Sequence, residues 1–267
     1  MKYKIGFIGA GVMASAVIER MLGSNQFSSS DITAIDLSPE RISWLKSNGI
    51  NVSKSTQELV NSAEIVFLGV KPQYYNDILK EIDTSKIITL ASIMAGVKIE
   101  TLRSKVCNDC VGIARIMPNT PISIGEGLSA VCFSKVNDSH KAYITSILKA
   151  CGTMLEINET KFDAVTSISG SGPAYVYLFL NGMVKGGING GLSYEESKLL
   201  ATSTLIGASK LSQSSNLPYD DLVKKVCSKG GTTIEAVNIY KENSLEEIIA
   251  SGIDACREKS KKLSESN

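Results

Sequence analysis

Short apolar runs rich in β-branched residues recur along the first half of the chain, at 3–8, 32–36, 65–70, 87–90, 112–117, 128–133 and 154–157. Between them the apolar positions return every three or four residues, the spacing of helices. Strand, helix, strand in this rhythm predicts βαβ units: a parallel sheet with right-handed crossovers and helices on both faces. After about residue 160 the strand pattern stops, and 172–187, 194–212, 219–226, 232–240 and 245–263 all carry helical spacing. The fold class is therefore a doubly wound α/β domain over 1–160 followed by an all-α domain over 161–267. Ser28-Ser29-Ser30 reads as a surface loop, and the lysine-rich stretch 259–262 as the solvated last turn of a helix, where cations complement the dipole.

Composition narrows the function. Of 267 residues 43% are hydrophobic and 21% charged, the mixture of an ordinary globular protein. The 28 basic side chains nearly cancel the 27 acidic ones, so no global field gathers a polyanion, and nucleic acid is not an expected partner. His140 stands alone, which excludes any mechanism that needs two histidines. Six scattered cysteines are read as reduced, and the CxxC at Cys107 and Cys110 has neither a second CxxC nor a nearby histidine, so no metal site is expected. No apolar run approaches the roughly 20 residues that span a bilayer. Lys2 and Lys4 before the apolar run to Ala14-Ser15-Ala16 imitate a signal peptide, but the segment reads as a first strand and helix, and the protein is expected in the cytoplasm.

The chemistry concentrates in loops. Gly9-Ala10-Gly11-Val12-Met13-Ala14 is a GxGxxA between the first strand and the helix at 12–22. The first glycine permits a tight turn, the second lets backbone approach a pyrophosphate, and the small third position lets helix and strand pack closely. Asp36 ends the second strand. Its carboxylate can accept both ribose hydroxyls of NADH, whereas the 2′-phosphate of NADPH would meet it at about 4 kcal/mol for charges ~4 Å apart at an effective dielectric of about 20. Asp36 can equally cap the next turn, with Ser38 and Pro39 starting a helix and Arg41 free to hold a phosphate. Further loops, at 69–72, 93–96 and 115–121, follow later strands. In the helical half, Ser169-Gly170-Ser171-Gly172-Pro173 and Ser228-Lys229-Gly230-Gly231-Thr232-Thr233 stand at helix starts, where free amides and hydroxyls suit a small anion, or serve as ordinary caps. Neither serine of the first segment satisfies GxSxG, which disfavours a serine hydrolase.

Taken in this order, the segments resemble the pyrroline-5-carboxylate reductase family over nearly the whole chain. SGSGPAY at 169–175 and GGTTIEA at 230–236 are the most specific marks, supported by GFIGAG at 6–11, VKP at 70–72 and MPNTP at 117–121. The resemblance implies a Rossmann domain joined to a helical domain that interlocks with a partner subunit, giving a homodimer that extends to a ring of dimers. It implies reduction of the cyclic imine 1-pyrroline-5-carboxylate to L-proline with NADH or NADPH. By position it assigns Ile8, Gly9, Ala10, Gly11, Val12 and Met13 to the pyrophosphate and Asp36 and Thr56 to the adenosine end. Gly69, Val70, Lys71, Pro72, Ile93, Ala95 and Asn119 would line the rest of the cofactor. Ser228, Gly231, Thr232 and Thr233 would hold the substrate, with the Thr233 hydroxyl at the ring nitrogen as the catalytic contact.

This chain departs from the family at Lys229, where a proline is usual, and at Asn181 and Lys185, where acidic residues are common; the loop near Asn216 lacks a family acid. Asp36-Leu37 replaces the usual phosphate reader after the second strand, which favours NADH. Three other readings compete. Lys185 and Asn189 match the KxxxN of 3-hydroxy acid dehydrogenases, a different cyclic imine differs by as little as one methylene, worth about 1 to 3 kcal/mol, and a non-catalytic dinucleotide sensor needs no substrate.

Overall fold

Strands buried on both faces need continuous apolar runs rather than alternation, and Ile5, Phe7 and Ile8 beside Ile65, Val66, Phe67 and Leu68 supply them. In the computed structural model, which describes residues 1–106 and 109–266, eight strands form one sheet: β1 (Tyr3–Ile8), β2 (Ile32–Ile35), β3 (Asn51–Val52), β4 (Ala63–Leu68), β5 (Thr89–Ser92), β6 (Gly112–Met117), β7 (Gly127–Ser134) and β8 (Gly152–Glu156). Their order is β3-β2-β1-β4-β5-β6-β7-β8. The connecting helices are α1 (Val12–Gly23), α2 (Pro39–Ser47), α3 (Thr56–Ser62), α4 (Tyr75–Lys80), α5 (Ile99–Arg103) and α6 (Asp138–Ala150). One face of the sheet packs Val17, Ile18 and Met21 of α1 with Leu45 of α2 and Ile144 and Ile147 of α6. The other packs Leu59 and Val60 of α3, Leu79 of α4 and Leu102 of α5. The sheet is thus doubly wound, as its rhythm predicts. Ala14, Ser15 and Ala16, the imitation of a cleavage site, are buried in α1.

The expectation of an all-parallel sheet needs one correction: β7 runs antiparallel to β6, and β8 pairs parallel with β7. A parallel crossover needs a dozen or more residues. Between Met117 and Gly127 the chain makes only a 3-10 turn, Thr120–Ile124, ended by Gly125 at φ +79°, and returns beside the strand it left. β8 is regained through α6, which is long enough to cross. β3 was not expected from the pattern, being two residues held by its neighbours: the Thr33 hydroxyl bonds the Ser53 hydroxyl at 2.8 Å and accepts from the Asn51 amide at 2.9 Å.

The remaining elements are α7 (Phe162–Val165), a π turn (Thr166–Gly170), α8 (Gly172–Asn189), α9 (Tyr194–Gln213), α10 (Tyr219–Val226), α11 (Thr232–Glu242) and α12 (Leu245–Ser266). Contacts divide the chain into two compact units, one of 1–171 with the residues from Cys256 on, the other of Gly172–Ala255. The division differs from the boundary expected at 160 because α7 and the π turn stay with the first unit, where Asn119 holds Ser169, and the end of α12 is fastened there too. Asp163 accepts hydrogen bonds from the Ser260 and Ser264 hydroxyls at 2.7 and 3.3 Å, and Cys256 Sγ lies 3.3 Å from Ser171 Oγ. The lysine-rich end accordingly has a buried serine face and is not solvated all round.

Candidate active site

Ile35, Ile8, Leu68 and Ser92 stand in register across β2, β1, β4 and β5, so the loops after them leave the carboxyl edge at one level. Strand order reverses about β1 and β4, where open α/β sheets bind their ligands. The loops are stitched to that edge: the Gly9 amide donates to the Ile35 carbonyl at 2.8 Å, Gly69 to Ile8 at 2.9 Å and Ile93 to Leu68 at 3.3 Å. Gly9 has φ +89°, and a Cβ there would lie 2.8 Å from Val70 Cγ1. Gly69 is equally confined, 2.8 Å from Ala14 Cβ by the same construction. Gly11 is different. A side chain there would meet only the Gly69 carbonyl oxygen, at 4.0 Å, and α1 begins at this residue with no side-chain cap and no acid in its first turn. Uncapped amides beside open space fit a dinucleotide pyrophosphate.

Asp36 takes the turn role that the sequence left as one alternative, and it also ties down the glycine loop. Its Oδ1 accepts from the Ser38 amide at 2.8 Å, the local turn, while its Oδ2 accepts from the Ala10 amide at 2.7 Å, inside the glycine loop. Ser38 then caps α2, with Pro39 at its first position. A carboxylate has about four acceptor sites, so two remain for ribose hydroxyls. Thr56 opens α3 behind the cap of Ser55 and is half-buried. Ile8 and Ala10 are buried, Val12, Lys71 and Ala95 are exposed, and Met13, Val70, Pro72 and Ile93 are half-buried along the same edge.

Asn119 faces inward. Its Oδ1 accepts from the Leu128 amide at 2.8 Å, and its Nδ2 donates to the carbonyl and hydroxyl of Ser169, each at 3.3 Å. Sequence reasoning placed Asn119 along the cofactor and missed this link to the π turn; the signal lay in Pro173, whose missing N–H leaves the carbonyl four residues earlier unserved.

In the second unit α11 also begins at a glycine, Gly231, without a side-chain cap. The turn before it is closed by the Gly231 amide on the Ser228 carbonyl at 3.0 Å, with Gly230 at φ +72°. Thr233 is half-buried, while Thr232, Ser228 and Lys229 are exposed. Lys185 and Asn189 are both exposed on α8. The first group of residues is gathered within the first unit and the second group within the second.

His140 lies at the other edge of the sheet. Its Nδ1 bonds the hydroxyl of Thr89, the first residue of β5, at 2.8 Å, and its Nε2 is 3.8 Å from Glu64 at the start of β4. Burial holds the imidazole below its usual range, opposed by the Glu64 carboxylate. Arg115 is likewise structural, paired with Glu159 at 2.9 Å and stacked on Phe162. Cys107 lies outside the described residues, and Cys110 is exposed.

Comparison with known proteins follows the two halves. Residues 159–263 match the family described as pyrroline-5-carboxylate reductase dimerisation, and residues 4–96 that described as NADP oxidoreductase, coenzyme F420-dependent. Full-length relatives include the pyrroline-5-carboxylate reductases of Escherichia coli, 34% identical with 100% of each chain covered, and of Arabidopsis thaliana, 32% identical with 99% of this chain and 96% of that one covered. The chain belongs to the pyrroline-5-carboxylate reductase family. Among solved structures, a pyrroline carboxylate reductase of Plasmodium falciparum with NADP bound superposes with a TM-score of 0.88 at 33% identity, covering 99% of both chains. That of Coxiella burnetii gives 0.90 at 25%, again over 99% of both. Membership in the pyrroline-5-carboxylate reductase family matches the resemblance carried by SGSGPAY and GGTTIEA, and it spans both units.

Proposed function

We propose that the chain is a pyrroline-5-carboxylate reductase, reducing 1-pyrroline-5-carboxylate to L-proline in the last step of proline biosynthesis. The observation that carries this reading is the pair of uncapped, glycine-led helix starts at Gly11 and Gly231. One suits a pyrophosphate and the other a substrate carboxylate. A reduced nicotinamide dinucleotide, when bound, supplies the hydride. The amides of the glycine loop and the first turn of α1 bind its pyrophosphate, Asp36 and Thr56 its adenosine end, and the loops at 69–72 and 93–95 line the remainder. The amides of Gly231, Thr232 and Thr233 receive the imine carboxylate, and the Thr233 hydroxyl accepts from the protonated ring nitrogen. A protonated imine accepts hydride at carbon while its π electrons become the nitrogen lone pair, so the product amine needs no further proton. The protein has only to orient the ring and exclude water. This accords with a single histidine committed to the far edge of the sheet.

Asp36 gives NADH the advantage, since the Ala10 and Ser38 amides hold its carboxylate beside the glycine loop, where a 2′-phosphate would meet it. The working form is a homodimer that extends to a ring of dimers. Tyr177, Leu178 and Phe179 on α8 and Leu199 and Leu200 on α9 are exposed, whereas only Val184, Ser197 and Ala201 are buried in these helices. Exposed apolar surface of this extent calls for a second copy. Among the described residues no helix is long and apolar enough to cross a membrane, and we place the enzyme in the cytoplasm. The test is isotopic. Nicotinamide dinucleotide deuterated at C4 should yield proline with one deuterium on the former imine carbon, and preferred labelling of the six-membered homologue would assign another ring size.

A further inference from the structure

The turn that opens the SGSGPAY segment has an unusual backbone. From α7 the chain runs directly into the π turn, closed by the Ser171 amide on the Thr166 carbonyl at 2.9 Å. π turns are rare and cluster at functional sites. Pro173 follows, and it has no N–H to give the Ser169 carbonyl, the acceptor four residues back. Asn119 serves that carbonyl instead, from the loop after β6. Its orientation is not free: the Leu128 amide donates to Oδ1, which turns Nδ2 toward Ser169. Next to it a Cβ at Gly170 would press into Met117 Cε, so the turn lies against the carboxyl end of β6 with no room to spare.

We propose that Asn119 is a positioning residue, a clip that replaces the hydrogen bond Pro173 cannot make and fixes the π turn at 166–170 on the carboxyl end of β6, rather than a ligand of the cofactor. This rests on the reading of that edge as the hydride-transfer site. A turn held there keeps that edge in one geometry, and about an ångström of misplacement at a reacting centre costs on the order of 100-fold in rate.

Asn119→Asp tests it, because the carboxylate still accepts from Leu128 but gives Ser169 no donor. The expected result is a fall of about tenfold in kcat, an unchanged Kd for the dinucleotide and faster amide hydrogen exchange over 166–172. Pro173→Ala restores an N–H opposite the Ser169 carbonyl, so the same substitution in that background should lose less than about threefold in kcat. A weakened dinucleotide Kd that accounts for the lost activity would overturn the clip and make Asn119 a cofactor ligand, and unchanged kcat and exchange would overturn it equally. If the unsubstituted protein fails to reduce the imine, the functional reading falls, and the exchange over 166–172 alone decides the clip: faster in Asn119→Asp supports it, unchanged overturns it.

Discussion

Asp36 shows how one carboxylate holds a local turn and the glycine loop together. It accepts two backbone amides, at 2.7 and 2.8 Å, and hydrogen bonds to a charged group contribute about 1.5–3 kcal/mol each. Truncation would therefore loosen the loop as well as remove the charge; Asp36→Asn keeps one of the two acceptors and is the milder probe, with Tm followed alongside. Surface screening cuts the repulsion of a 2′-phosphate to about 1 kcal/mol, so the ratio of kcat/KM for NADH over NADPH should fall about fivefold in Asp36→Asn. An unchanged ratio would remove Asp36 as the selector. His140 makes a prediction of stability. Its folded pKa lies below the ordinary 6.5 of an imidazole because burial disfavours the cation. The unfolded chain therefore binds more protons, and the contribution of the neutral ring is present in full above pH 6.5 and lost as pH falls through the folded value. Thermal unfolding followed from pH 7.5 to 5 should show Tm dropping more steeply for the unsubstituted protein than for His140→Asn, and parallel curves would contradict it.

Elements place these residues by where strands end. The glycine loop separates two demands that its sequence states together. Gly9 is required by its φ of +89° and by Val70, while Gly11 is required only by what must lie beside it. Gly11→Leu should thus keep Tm within a few degrees while losing both NADH and NADPH, whereas Gly9→Val should lower Tm markedly. Normal dinucleotide affinity in Gly11→Leu, measured by calorimetry, would move the pyrophosphate elsewhere. The principal strands, the wrapping helices and the glycine loop were legible because apolar runs and GxGxxA report burial and turn geometry directly. The reversal of β7 is written in a connection, 118–126, shorter than the dozen residues of a parallel crossover, which the rhythm of apolar runs alone does not report. β3 has no apolar run to announce it. The π turn was hidden for another reason: besides its own closing bond it is held by Asn119, 50 residues away in the chain.

At the scale of the molecule, the two units are stabilised differently. The sheet unit has layers of buried Ile, Leu, Val and Phe on both faces. The helical unit leaves Phe179, Leu199 and Leu200 exposed in the single chain. Burying a leucine or phenylalanine contributes about 1.5–3 kcal/mol, so several such residues per copy are enough to hold a pair together. Sedimentation at micromolar concentration should find a dimer or a multiple of it, and Phe179→Glu with Leu199→Glu should shift it toward monomer with loss of activity. A stable, active monomer would contradict the assembly. The sequence reported this unit as helical but not as unfinished, because an apolar face reads alike whether its partner is the same chain or another.

The most direct test of the account is the loss of reduced-nicotinamide absorbance when the purified protein meets racemic 1-pyrroline-5-carboxylate, with NADH and NADPH in parallel and Thr233→Ala alongside. Imine-dependent oxidation is expected, faster with NADH, with a fall of about 10- to 100-fold in kcat/KM for Thr233→Ala, the loss of one hydrogen bond to a charged nitrogen. A folded protein that binds dinucleotide but oxidises none in the presence of the imine would contradict it.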